Sequence, residues 1–229
     1  MDEKTTQTLS DEGAKALADA CENRQHVYGF LSRLFEREVD EQLVGECGEG
    51  WSIAFDDQAL NAAFEKVRAD LAACDAPGIE DAAVDFDRVF FGMGPLAAEK
   101  AFPYESVYTS ERGLMMQDAY SSVVVEYRNA GFAKNPAFTE PEDHIAVELA
   151  YMALLCGRAA EALESGDASA AEAELRSQQA FLKAHLLPWV GRFAADVKNA
   201  AQLALYADVA ECAEAFLAAD AAWLGEVIE

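Results

Sequence analysis

With 229 residues, of which 52% are hydrophobic, the chain can bury one large core, as a single domain or as two tightly packed lobes. Its 42 acidic residues against 17 basic ones give a formal charge of -25, a field that repels nucleic-acid phosphates and anionic lipid surfaces and attracts a basic segment of another protein. Such a charge also serves plain solubility. No basic-then-apolar signal stands at Met1 and no apolar run is long enough to span a bilayer, so stable membrane insertion is not expected. The five cysteines are scattered and form no C-x-x-C pair, which suits a reducing cytoplasm.

The charge is unevenly spread. No Lys or Arg occurs from Glu38 to Glu65, from Asn135 to Gly157, or from Asn199 to the C-terminus, and each window holds several carboxylates.

In chain order, the first ~10 residues are expected to be disordered. Leu17, Cys21, Arg24, Tyr28, Leu31 and Phe35 then share one helical stripe, widened by Val27 and Leu34. Asp56 and Asp57 offer a cap for a second helix running through Ala73, with Leu60, Phe64, Val67 and Leu71 inward. Ile79 to Phe91 reads as a third helix, crowded with Val84, Phe86, Val89, Phe90 and Phe91. Gly92 to Gly113 loses all period and reads as an ordered loop. Helix resumes over about Leu114 to Asn129, and "GFAKNPAF" forms a second loop. A further helix is expected from about Thr139 to about Leu163, another over Ala168 to Leu186, and a last helical stretch from Pro188 to about Trp223 with one break. Strand-like alternation is nearly absent and no period of about 20–50 residues repeats, so the fold class is all-α, a single globular helical domain.

Chemistry is sparse. "GMGPLA" matches G-x-G-x-x-A in letters, but no strand precedes it and no parallel-sheet pattern surrounds it. The three histidines, His26, His144 and His185, lie far apart with no second His or Cys at ligand spacing, so no metal, cofactor or catalytic residue is assigned.

The stretch "TEPEDHIAVEL" is the richest. Thr139 and Glu142 have the spacing of a capping box, Pro141 suits a first turn, and Glu142 and Asp143 suit the positive end of a helix dipole. Ile145, Leu149 and Met152 then follow a core stripe, with His144, Glu148 and Tyr151 on a neighbouring polar and aromatic one. His144 reads either as a surface residue beside an ordinary cap or as part of a recognition edge. On the second reading, loss of Asp143 or His144 leaves the helix standing and weakens binding.

The order of "FDRVFFG", "FPYESVYTS", "EPEDH" with an apolar helix behind it, and "HLLPWVGRF" resembles the TorD/DmsD/NarJ family over roughly Arg24 to Trp223. The resemblance implies an all-helical cytoplasmic chaperone, not an enzyme. It implies as partners the twin-arginine signal peptide and catalytic subunit of a DMSO-reductase-type molybdoenzyme, whose cofactor insertion and assembly it assists before export. Carried over by position, the signal-peptide region comprises Phe86, Val89 and Phe90, then Pro103, Tyr104, Ser106 and Tyr108, then Pro141, Asp143 and His144. Phe86 and Tyr104 stand where Trp is common in relatives. Some members form domain-swapped homodimers or interact with guanine nucleotides or the molybdopterin cofactor, but no phosphate-cradling motif supports a nucleotide here. Two other classes stay open: a small helical enzyme using a His144–Asp143 acid/base pair, and a helical adaptor with no leader-peptide role.

Overall fold

The structure, a computed structural model, describes residues 11–48, 53, 55–93 and 100–228. The first ten residues, for which the sequence predicts disorder, and most of "GMGPLA" lie outside the described residues. Ten α-helices make up the described chain: α1 (Asp11–Glu36), α2 (Glu41–Gly48), α3 (Gln58–Ala72), α4 (Ala76–Phe86), α5 (Glu105–Thr109), α6 (Asp118–Ala130), α7 (Ile145–Glu164), α8 (Ala168–Phe181), α9 (Val190–Ala200) and α10 (Ala204–Ile228). One wider π-type turn extends α4 over Asp87–Phe91, and another extends α8 over Leu182–Leu186. The all-α fold class stands, with one isolated antiparallel bridge among the described residues and no strands.

α1 and α7 pack along their lengths and form the axis of the fold, α8 covers α7, and α10 closes over α3 and α9. The α1 stripe read from the sequence is buried from Cys21 to Phe35, and Asp57 caps α3 by accepting from the Ala59 and Leu60 amides. Two elements escaped the sequence reading. α2 is too short for a helical period to emerge, and α5 hides inside a loop rich in Pro and Gly. α6 begins at Asp118, four residues later than expected, and ends at Gly131, whose φ of 65° closes it.

Arg24, a cation on an apolar stripe, is explained by what it meets. Its guanidinium grips Asp220 of α10 with two bonds of 2.5 and 2.9 Å and reaches Gln178 of α8 at 2.6 Å. Tyr28 donates to the same carboxylate at 2.6 Å, and Gln178 donates on to the Leu155 carbonyl of α7 at 3.0 Å. Four helices therefore meet on one buried ion pair. Removing a single partner leaves the other charge stranded. Asp220→Ala is expected to lower unfolding free energy by about 3–5 kcal/mol in urea denaturation, and Arg24→Met with Asp220→Leu to recover most of that loss.

Candidate functional site

The third predicted helix ends differently from its pattern. The π-type turn admits one extra residue per turn, so Phe86, Val89 and Phe90 all face inward while Phe91 is 46% exposed. Gly92, at φ 68°, ends the turn. Asp85, fully buried beside them, pairs with Arg88 and accepts from the Gln202 and Leu203 amides at 3.1 and 3.0 Å, which ties α4 to the turn before α10.

From Phe86 an aromatic chain crosses the core. Phe86 meets Phe90 at 4.8 Å between ring centroids, Phe90 meets Phe193 at 6.2 Å, Phe193 meets Trp189 at 5.3 Å, and Trp189 stacks on Tyr108 at 5.4 Å. The Ala101 amide donates to the Val89 carbonyl at 2.9 Å, fastening the loop to the π-type turn. The structure thus brings the first two groups of predicted residues into one connected body.

The third group joins them by backbone. Tyr104 and His144 form the antiparallel bridge, Glu105 N–H donates to the Asp143 carbonyl at 2.9 Å, and Ile145 N–H donates to the Pro103 carbonyl at 2.9 Å. This pairing overturns the capping-box expectation. α7 begins at Ile145, not near Thr139, and its N-cap is His144, whose Nδ1 accepts from Ala146 N–H at 3.1 Å. Long-range pairing takes up the Asp143 carbonyl and the Ile145 amide, the His144 amide closes a turn onto the Pro141 carbonyl, and Glu142 lies 3.6 Å from Lys134. Asp143 is not a first-turn acid of α7. Fully buried, it accepts from Ser106 N–H at 3.0 Å and so caps α5 from across the loop. The Ser106 hydroxyl in turn accepts from Gln117 N–H at 3.0 Å, at the start of α6.

His144 is buried as well, against the rings of Tyr104 at 5.3 Å and Phe138 at 5.0 Å, which overturns the reading of it as a surface residue. Burial, with Lys134 adding to it, pushes its pKa down to about 3. It is therefore neutral near pH 7, with Nδ1 already engaged, and Asp143 points elsewhere; the two make no acid/base pair. Of the ten predicted residues, Tyr108 and Pro141 alone are partly exposed, and the other eight are buried.

Beneath the bridge runs a network that residue spacing did not reveal. Glu105 and His185 lie 2.8 Å apart, and the other His185 nitrogen lies 3.3 Å from Glu126. Burial alone would depress His185, but the two carboxylates outweigh it and lift its pKa to about 9. Glu148, fully buried and accepting from the Trp189 indole at 3.3 Å, holds its proton well above the usual carboxylate range because of burial and of the nearby Glu105. The available signal was an acid set between Val147 and Leu149, both of them core residues.

Solvent reaches this body at one flank. A cavity of about 280 Å³ is lined by Glu36, Arg37, Glu38, Val39, Asp40, Phe86 and Phe91, and Met93, just beyond Gly92 in the chain, is 61% exposed. Tyr108 also reaches the surface, where its hydroxyl donates to Asp196 at 2.9 Å and Arg192 lies over its ring at 5.7 Å. Among the described residues no group of three or more His, Cys, Asp or Glu could hold a metal ion, and no helix is long and apolar enough to cross a membrane.

The family model described as "Nitrate reductase delta subunit" matches residues 54–195, a span that contains all ten predicted residues. The chain is 35% identical over 147 residues to the chaperone protein TorD of Photobacterium profundum, covering 63% of this chain and 66% of that protein. It is 29% identical over 217 residues to the chaperone protein TorD of Vibrio cholerae serotype O1, covering 91% and 94%. To the chaperone protein TorD of Shewanella pealeana it is 25% identical over 214 residues, covering 88% and 89%.

Two outcomes follow from burial. Asp143→Ala and His144→Ala, which a surface location would leave near the parent melting temperature, are each expected to cost about 1–3 kcal/mol, measured by thermal and urea unfolding. The pH dependence has a definite sign. His185 holds its proton to about 9 when folded against 6.5 as the ordinary value. Its contribution is therefore complete below 6.5 and is lost as pH rises through 9, on the order of 3 kcal/mol in all. Glu148, neutral when folded, acts in the same direction, while His144 acts oppositely and penalises the fold as pH falls below 6.5. Urea unfolding between pH 6.5 and 9 should show the alkaline loss, and His185→Gln should flatten it; an unaltered slope would assign it to other groups.

Proposed function

The chain belongs to the nitrate reductase delta subunit family, the TorD/NarJ group, and on that footing we propose that it is a cytoplasmic chaperone of a molybdenum-containing oxidoreductase. In this reading it binds the twin-arginine leader of the client's catalytic subunit and assists cofactor insertion and assembly before export. The observation that carries the proposal is the family match over 54–195, which takes in the whole of the aromatic and bridge region. The relatives' own names describe chaperones, which supports a binding protein over an enzyme.

The geometry supports a leader site at the solvent-facing flank of that region. Phe86, Phe91 and Val39 give the cavity an apolar wall, and Glu36, Glu38 and Asp40 bring carboxylates beside it. Asp40 already engages Arg33 at 2.7 Å and Arg37 at 3.6 Å, so Glu36 and Glu38 are the acids left for an incoming cation. An arginine pair can take bidentate charge-assisted bonds there while the apolar segment that follows lies on Phe91 and Met93. Tyr108 and Pro141 extend the contact surface, and Val89, Phe90, Pro103, Tyr104, Ser106, Asp143 and His144 support it from beneath.

Calorimetric titration with a synthetic twin-arginine leader tests the reading. Affinity should fall as salt rises, because the Debye length shrinks from about 8 Å toward 3 Å. Arginine-to-glutamine leaders should bind more weakly than arginine-to-lysine ones. Phe91→Ala and Tyr108→Ala should each weaken binding by about tenfold with little change in melting temperature, whereas Phe90→Ala should cost about 3–5 kcal/mol of stability. Leader affinity untouched in both exposed variants would remove the site, and no leader binding at all would remove the function.

A further inference from the structure

A second concavity lies at the other end of α1, apart from the leader flank. It has a volume of about 470 Å³ and opens between α1, the start of α3 and α10. Phe55, Leu60 and Phe216 form its floor, Trp223 and Ala219 one wall, and Asp19, Asp56 and Asp57 its rim. Glu36 in the leader flank and Ala20 in this groove are both on α1, and at 1.5 Å per residue that separates the two sites by roughly 24 Å along the axis.

The floor is held in place. The Asn61 side chain accepts from Phe55 N–H at 2.8 Å and donates to the Phe55 carbonyl at 2.7 Å, and the Phe55 ring packs on Phe64 and Phe216 at 5.3 and 6.0 Å. The aromatic surface is therefore preformed rather than assembled on binding. The electrostatics are one-sided. Arg24 at the base is neutralised by Asp220 and stacks on the Trp223 ring at 4.5 Å, and Lys15 is engaged with Asp19 at 2.9 Å. Asp57 spends one oxygen on the α3 cap, while Asp56 has no hydrogen-bond or ion-pair partner among the described residues. Two of the sequence windows without Lys or Arg, Glu38 to Glu65 and Asn199 onward, come together here.

We propose that this groove docks an arginine- or lysine-bearing amphipathic segment of a partner polypeptide, the cation on the Asp56–Asp57 rim and the adjoining apolar side chain on Phe55 and Trp223. Charge complementarity selects this occupant. A second copy of the chain would bring a further formal charge of -25 against the same rim, and an acidic or purely apolar segment would leave Asp56 unpaired. The inference stands independently of the leader flank.

The test is calorimetric titration of the full chain with a blocked peptide of alternating arginine and leucine, beside its glutamate-for-arginine counterpart. Asp56→Asn combined with Asp57→Asn removes two charges while asparagine still caps α3, and Trp223→Leu removes the wall. Each should weaken the arginine peptide by about tenfold. Glu80→Gln with Asp81→Asn, an exposed pair on α4 with the same change in charge, and Phe91→Ala in the leader flank should each stay within about twofold. The proposal is overturned if the α4 pair loses as much as the rim pair, since the net field alone would then explain binding. It is equally overturned if the arginine peptide does not bind, if the glutamate peptide binds as well, if Phe91→Ala is the variant that fails, or if sedimentation shows the groove variants dissociating a self-dimer.

Discussion

The bridge between Tyr104 and His144 is the contact on which the rest of the candidate region depends. It joins the loop after α4 to the start of α7 by two backbone hydrogen bonds, Glu105 to Asp143 and Ile145 to Pro103, in a chain otherwise built of helices. Everything near it is placed by it. The Asp143 carboxylate can cap α5 because the bridge holds Asp143 opposite Ser106, and the Ser106 hydroxyl can then meet the start of α6. A five-residue helix is far below the length that stands alone in water, so α5 exists through these tertiary bonds.

The polar network below the bridge obeys the same constraint from the inside. Glu105 is fixed by α5, Glu148 by the first turn of α7, and His185 by the π-type turn after α8. Three elements distant in sequence therefore bring titratable groups together in a buried place. Buried charge is costly, and the arrangement holds because each member meets an opposite charge, a hydrogen-bond donor, or, for Glu148, is neutral. The aromatic chain from Phe86 to Tyr108 passes beside this network at Trp189, whose indole donates to Glu148. Apolar packing and polar satisfaction thus converge on one tryptophan.

Most of the helical fold was legible in the sequence because amphipathic periodicity is a local property. The buried stripe of α1, the Asp57 cap of α3 and the break between α9 and α10 all announce themselves within a few turns. What failed was local logic applied where a distant segment decides. Thr139 and Glu142 have capping-box spacing, but the backbone just after them, at Asp143 and Ile145, is bonded to Glu105 and Pro103 far upstream, and no window around Thr139 contains that information. The π-type turn after α4 likewise sits beside a long-range tie, from Asp85 to Gln202 and Leu203, that no local window contains. The order of the short motifs picked out residues that the fold brings together, while their individual exposure was out of reach: a histidine beside three acids reads as surface until Tyr104 and Phe138 are known to enclose it.

The distribution of charge follows from the same pairings. The cations Arg24, Arg88 and His185 are each met by an acid in or near the core, Asp220, Asp85 and Glu105. Among the described residues the buried acids are Asp85, Glu105, Asp143, Glu148 and Asp220, so most of the surplus acid sits at or near the surface. The field of the molecule is thus a surface property, long-ranged in dilute salt and open to a basic partner. That placement gives salt two opposite effects. Screening relieves the self-repulsion that opposes the compact state, and the same screening would weaken the attraction on which the proposed binding of a basic segment relies. Folding draws on charges already paired inside, whereas the proposed recognition of a basic segment would draw on charges left unpaired outside.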